Sequence, residues 1–381
     1  MGQKSCAMTS TPPPDATPGE HVAVLGTGLI GTSVAMAAAR AGCRVTGWDI
    51  DPDTVAHAAA RSGLEPRPRL EDAVVDADIV VVATPIAAVA ATVTAALLAA
   101  PGAIVTDAAS VKGHLVTDVL AVMGDDVQAT VRYVPGHPMG GSERSGPEHA
   151  SASVLDGIVW VVTPHPDTDA AHTEALESWI ERLGARPVRL TPERHDRLVA
   201  MVSHLPQVAS TSLMGLAAKE EADEPEILLL AAGGFRDLTR LAASQPALWS
   251  EILVANRDQV ASAIELFAAR LLALRDAIAR GDSAEVESLF ERSKRARLGL
   301  ATKPTVRSGV AVWQVEIPDE PGALARITAV LGAGKVNIED LQIVHSPEGG
   351  RGTVHLTVAA SSAGSCADVL TGGGYDPIRL A

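Results

Sequence analysis

The stretch His21-Val-Ala-Val-Leu-Gly-Thr-Gly-Leu-Ile-Gly31 decides the fold. Residues 22–25 are apolar at every position, as in a strand covered on both faces. Gly26, Gly28 and Gly31 follow at once, and an apolar helix opens with Leu29 and Ile30. In that context the first glycine permits a tight turn and the second lets the backbone approach a pyrophosphate. The third brings helix and strand together, with the phosphates on the helix N-terminus. Asp49 stands 18 residues after Gly31, at the end of an expected strand over 44–48. A carboxylate there accepts hydrogen bonds from a ribose diol and repels a 2′-phosphate, which favours NAD over NADP. Its other reading is an N-cap for a helix over 52–62.

Outward from this loop, short apolar runs alternate with Ala-rich helical runs to about residue 190. Val22–Leu25, Arg44–Trp48, Ile79–Ala83, Ile104–Thr106, Arg132–Val134 and Ile158–Val162 read as strands. The alternation predicts a Rossmann-type parallel sheet with helices on both faces, spanning 20–190. No formal charge lies between Asp78 and Asp107. Pro85, Pro101 and Gly102 interrupt that run, so it reads as strand, helix and strand rather than as a membrane span.

Ligands of open α/β sheets lie beyond the carboxyl ends of the strands. The residues just past those ends are Thr84–Pro85, then Asp107 with Ser110 and Lys112, then His137–Pro138. A hydroxyl, an ammonium and an imidazole are thereby expected on one rim. Each has a plainer reading: Thr84 or Ser110 as a helix cap, Lys112 as a solvated charge, His137 as a turn residue.

From residue 191 to 303 long helical periods replace the strands, including one expected from Pro246 through Arg280. His195 and His204 lie in this part. Nine steps of about 100° leave them roughly 180° apart on a straight helix, unless Pro206 bends the chain. Residues 304–309 read as a linker. Residues 310–381 then give strand, helix, two strands, helix and strand, the order of a ferredoxin-like sandwich. Residues 1–19, with four prolines and no apolar run, read as a disordered tail.

The 381 residues carry 31 basic and 46 acidic side chains, a formal charge of −15. That balance argues against a general nucleic-acid binder. Cys6, Cys43 and Cys366 are too few and too scattered for a disulfide framework or a zinc cluster, which suits a reducing cytoplasm.

Five blocks occur in order: Gly26-Thr-Gly-Leu-Ile-Gly31, Thr106-Asp-Ala-Ala-Ser-Val-Lys112, Gly136-His-Pro-Met-Gly-Gly-Ser-Glu-Arg-Ser-Gly146, Ser203-His-Leu-Pro206 and Gly233-Gly-Phe-Arg-Asp-Leu-Thr-Arg240. The series resembles the prephenate dehydrogenases and their arogenate-using relatives over about residues 20–300. The resemblance implies oxidative decarboxylation of a cyclohexadiene with NAD. It makes His137 the catalytic histidine and Ser110 the serine that orients it and touches the cofactor. Arg240 becomes the substrate-binding arginine, Glu143 an acidic residue near the pocket mouth and His195 a pocket histidine. Arg240 could instead pair with Asp237. Many relatives read Ser-His-x-Pro-His where this chain has Gln207. That exchange leaves the choice between prephenate and arogenate open, because the two differ only at the side-chain end of the pocket.

The last 70 or so residues resemble an ACT domain, on Asp319-Glu-Pro-Gly-Ala-Leu324 and Val336-Asn337-Ile338. The resemblance implies an amino-acid effector, tyrosine first, bound beside Gly322 and Asn337. A homodimer built mostly through the helical part is expected. Two further readings compete. One is a reductase of hydroxyacids or imines, whose catalytic lysine has no convincing counterpart among Lys219 and Lys294. The other is an amino-acid-binding regulator on an inactive scaffold, which would have lost a loop glycine or His137.

Overall fold

The computed structural model describes residues 19–140, 145–298, 310–345 and 351–380. Most of the expected tail, the 304–309 linker and Glu143 lie outside the described residues.

The chain begins β1 (His21–Leu25), α1 (Leu29–Arg40), β2 (Arg44–Trp48), α2 (Pro52–Ser62), β3 (Glu65–Pro66), α3 (Leu70–Val74), β4 (Ile79–Val82), α4 (Ile86–Ala99) and β5 (Ile104–Asp107). The five strands pair in parallel in the order β3-β2-β1-β4-β5. Val22, Val24, Val45, Ile79 and Val81 enter one core, with α1 and α2 residues and with Trp160 and Trp179. Their neighbours Ala23, Leu25, Val80, Val82 and Val105 enter a second core against residues of α3 and α4. Alternate side chains of a strand point to opposite faces, so a sheet with two cores needs apolar residues at every position. The uncharged run is thus β4, α4 and β5. Among the described residues, no helix is long and apolar enough to cross a membrane.

Next come α5 (Gly113–Met123), α6 (Val127–Thr130), β6 (Gly136–Pro138), β7 (Val159–Val162), α7 (Ala170–Arg182) and β8 (Arg186–Arg189). Strands β6, β7 and β8 form a separate three-stranded sheet. The expected strand Arg132–Val134 is reduced to one bridge, Val105 to Tyr133. The Arg132 guanidinium turns back onto the carbonyls of Leu97, Ala100 and Ala103 at 2.8–3.0 Å, tying down the end of α4. The strand that carries the histidine forms three residues later. The short β3 and β8, with two and four residues, lacked a β-branched run to reveal them.

The remaining helices are α8 (Pro192–Val199), a π turn at Ala200–His204, α9 (Leu205–Glu220), α10 (Glu226–Leu229), α11 (Gly233–Thr239), α12 (Pro246–Ala255), α13 (Arg257–Ala279) and α14 (Ser283–Leu298). The helix expected over 246–280 is broken at Asn256 (φ −110°, ψ 27°). The Asn256 side chain bonds elsewhere in the fold, and such competition is why Asn interrupts helices. The chain ends with β9 (Val310–Pro318), α15 (Ala323–Ala333), β10 (Asp340–His345), β11 (Arg351–Ala359), α16 (Ala363–Gly372) and β12 (Ile378–Arg379). These strands form an antiparallel sheet in the order β10-β11-β9-β12. One core holds alternate residues of β9 and β11 with Ala323, Ile327 and Leu331 of α15 and Cys366 and Leu370 of α16.

By contacts the chain divides into two compact units. One runs to Leu205 and includes Ser244–Ala263; the other holds Pro206–Ala243 and everything from Ile264 onward.

Candidate active site

In the first unit the glycine loop leaves β1 with Gly26 at φ +90°, a conformation that favours glycine. A methyl group on Gly26 would lie 2.7 Å from the backbone of Ala83 and Thr84. One on Gly31 would lie 1.9 Å from the Gly26 carbonyl oxygen. Both glycines therefore exist for close backbone approach. Gly28 differs: nothing lies within 4 Å of where its Cβ would stand. Gly28 is the N-cap of α1, and the first-turn amides at Leu29 and Ile30 have no preceding helical carbonyl to bind. The loop thus offers open space and free donors together, which is what a pyrophosphate requires.

Asp49 belongs to this loop. Its Oδ2 accepts from the Thr27 amide at 2.6 Å and the Thr27 hydroxyl at 3.2 Å. The N-cap of α2 is Asp51, which accepts from the Asp53 amide, so the capping alternative for Asp49 does not apply. Thr84 sits at the end of β4 beside Gly26, with a buried hydroxyl that has no hydrogen-bond partner. Pro85 follows as N-cap of α4. These residues fit a dinucleotide.

Beyond β5 lies a buried polar cluster. Lys112 is fully buried, not solvated. Its ammonium pairs with Asp107 and donates to the Gly136 carbonyl at 2.6 Å. The Tyr133 hydroxyl donates to the other Asp107 oxygen at 2.9 Å. Burial pushes the Lys112 ammonium below its ordinary pKa while Asp107 pulls it back up. Lys112 is therefore a strut that fixes the backbone next to His137.

His137 is half-buried, and its Nδ1 lies 2.9 Å from Nε2 of His195. The rings meet edge-on, 5.1 Å between centroids at 74°. His195 Nδ1 in turn lies 2.8 Å from Oδ1 of Asp196. Burial holds the His137 pKa well below its ordinary value, and His195, Lys112 and His204 add to the effect. The imidazole is neutral near pH 7, with a lone pair to offer. Ser110 is half-buried and makes no hydrogen bond to His137 among the described residues; the ring is held by His195.

His204 is buried with its ring edge-on to Trp249, and its Nδ1 lies 3.2 Å from Asn256 Nδ2. That amide also donates to the Asp196 carbonyl at 2.9 Å. Burial, chiefly, lowers the His204 pKa to about 4. The two helical histidines are brought near one network by the π turn. It adds a residue to one turn and cuts their separation from roughly 180° to about 80°. Pro206 follows directly, and a proline ring displaces the carbonyl four residues back.

Asp196 and Asn256 escaped the sequence reading. A signal existed for Asp196: Pro192, His195, Asp196 and Val199 form the buried stripe of α8, and a His-Asp pair on such a stripe needs partners. No group of His, Cys, Asp and Glu among the described residues could hold a metal ion.

Gln207 and Arg240 lie in the second unit. Gln207 is buried, and its amide donates to the Leu241 carbonyl at 2.8 Å, one residue from Arg240. Arg240 follows α11 at the start of a 3₁₀ turn and is exposed.

Residues 34–189 match the family model described as the prephenate dehydrogenase nucleotide-binding domain, and residues 191–292 the one described as its dimerization domain. A prephenate dehydrogenase of Bacillus subtilis is 30% identical over 89% of this chain and 92% of its own. The crystal structure of prephenate dehydrogenase from Aquifex aeolicus, in complex with hydroxyphenyl propionate and NAD+, is 29% identical with a TM-score of 0.67, covering 73% of this chain and 97% of that one. Synechocystis arogenate dehydrogenase is similar too, at 28% identity and a TM-score of 0.65, covering 73% of this chain and 98% of that one. With two adjoining family matches across both the parallel sheet and the helices, this chain belongs to the prephenate dehydrogenase family.

Proposed function

We propose that this chain is an NAD-dependent prephenate dehydrogenase that forms 4-hydroxyphenylpyruvate. The observation that carries it is a neutral imidazole, His137, carried on β6 and held by His195, in the same unit as an open glycine loop. When bound, NAD+ supplies a hydride acceptor. His137 takes the proton of the C4 hydroxyl as the C4 hydrogen departs with its electron pair. The bond from C1 to its carboxylate then breaks and carbon dioxide leaves. The electron pair runs through the ring to the C4 oxygen, which recovers a proton from His137 as a phenol. The proton is borrowed and returned.

Gly26, Gly28, Leu29, Ile30 and Gly31 would cradle the pyrophosphate, with Thr84 and Pro85 beside it and Ser110 at the nicotinamide end. Asp49 would take the adenosine ribose and select NAD over NADP. Arg240 is assigned a substrate carboxylate, because a guanidinium grips a carboxylate in bidentate fashion. Glu143 is assigned the pocket mouth from the sequence alone. Gln207 is assigned the side-chain end of the substrate. Its titration-free amide, with the likeness to Synechocystis arogenate dehydrogenase, supports arogenate as the second substrate to test. Appearance of NADH with prephenate, arogenate and simple hydroxyacids separates these readings. No NADH from either cyclohexadiene would reject the proposal.

The C-terminal sheet supports an ACT-like effector module: its strand order is ferredoxin-like, and Gly322 opens α15 at φ +90°. Tyrosine is the effector proposed, beside Gly322 and Asn337. Exposed Leu266, Phe267, Leu271 and Leu272 on α13 and Phe290 on α14 support a homodimer through the helices.

A further inference from the structure

The histidine that accepts the substrate proton must present a bare nitrogen, and a neutral imidazole has only one. Which nitrogen carries the proton is set by the partner of the other. Here the partners form a chain of three groups. His137 Nδ1 faces His195 Nε2 at 2.9 Å, and His195 Nδ1 faces Asp196 Oδ1 at 2.8 Å. Asp196 is anchored at its far side. Its Oδ1 also accepts from the Lys112 amide at 2.8 Å, and its Oδ2 accepts from the Gly113 amide at 2.7 Å. These are orphan amides at the start of α5, so the carboxylate sits where anions are favoured.

We infer that Asp196 sets the tautomer of His137 through His195, as a positioning residue of the reaction. A carboxylate only accepts, so the proton of His195 lies on Nδ1. His195 Nε2 is then a lone pair, and the hydrogen bond at 2.9 Å requires its proton from His137 Nδ1. That leaves His137 Nε2 bare. The opposite tautomer would set two lone pairs against each other across that distance. The other charged groups near His137 are Lys112, already held by Asp107 and the Gly136 carbonyl, and His204, which is held by Asn256. Neither contacts the bond between the two histidines. The chain also suits the chemistry, because a borrowed proton needs a network that stabilises imidazolium without letting the proton escape.

This inference rests on the reading of His137 as the base, and its test does not depend on turnover. Full-length protein labelled with ¹⁵N-histidine, without substrate, is examined by long-range ¹H–¹⁵N correlation, with His137 assigned by its loss in His137→Asn. A protonated Nδ1 and a bare Nε2 are expected; a protonated Nε2 overturns the inference. Failure of the parent to oxidise prephenate or arogenate would remove the functional reading and leave this result standing. In Asp196→Asn the amide nitrogen donates to His195 and inverts both rings. The Asn oxygen can keep a bond to the α5 amides. A wrong tautomer removes base catalysis, so kcat should fall about 10²–10⁴-fold with KM and NAD+ affinity changed only a few-fold. A folded Asp196→Asn enzyme with the parental kcat, or with His137 still bare at Nε2, overturns it as well.

Discussion

Two glycines of the same loop should respond to one added methyl in opposite ways. At Gly28 the space is open to 4 Å, and the backbone at φ −68°, ψ −158° is one that alanine adopts freely. Gly28→Ala therefore costs the folded state nothing by contact. It removes conformational freedom from the unfolded chain, which stabilises by about 0.4–1 kcal/mol. For a protein of this size that raises Tm by roughly 1–4 °C. The same methyl fills the space in which a pyrophosphate must meet the amides of α1. Loss of one charge-assisted bond costs about 1.5–3 kcal/mol, so the Kd for NAD+ should rise about 10–150-fold. At Gly31 the methyl would meet the Gly26 carbonyl oxygen at 1.9 Å and Val24 Cγ1 at 3.1 Å, both of them fixed by the sheet. Helix α1 must back away from β1, and overpacking of this kind costs about 1–3 kcal/mol or more. Scanning calorimetry of the ligand-free proteins and titration calorimetry with NAD+ read the two effects separately. If Gly28→Ala stayed folded and bound NAD+ as the parent does, the loop would not be the pyrophosphate site.

His137→Asn should lower kcat by about 10²–10⁴-fold while NAD+ titration stays near parental; an unchanged kcat removes His137 from the mechanism. Arg240→Ala should raise KM about 10–150-fold, and a parental KM would favour a structural ion pair instead. Stability should fall in acid: His137 and His204 are held neutral by burial, so below about pH 6.5 the unfolded chain binds protons that the folded one refuses. Each group then removes about 1.4 kcal/mol per pH unit, for His204 down to its folded pKa of about 4. Urea midpoints of His204→Gln should decline less steeply across that window; a slope equal to the parent's counts against the burial argument. Tyrosine inhibition should weaken on truncation after Lys303, and inhibition of undiminished strength would place the tyrosine site in the active site.

The sequence alone determined the parallel sheet. Val22–Leu25 and Ile79–Val82 are apolar at every position, and only a sheet with a core on each face consumes such runs. The glycine spacing carried the loop: the demand on Gly31 comes from Gly26, five residues back, and the turn at Gly26 is local too, although its closest backbone neighbours, Ala83 and Thr84, come from the end of β4. Lys112 does follow the end of β5, as the strand pattern predicts, whereas His137 lies within β6 rather than past a strand end, and the states of both were not legible. Whether Lys112 faces water or Asp107 depends on how Gly136, Tyr133 and β5 converge. Asn256 broke a helix that its neighbours favour, because its amide meets Asp196 and His204 from far along the chain. The partner of His137 was decided at the same level. His195 lies 58 residues away, and a π turn that no periodicity announces brings His204 round to the same Asn256 that holds Asp196. Local geometry is written in neighbouring residues, whereas protonation and polar pairing depend on which distant groups share a buried volume, and only the tertiary fold fixes that.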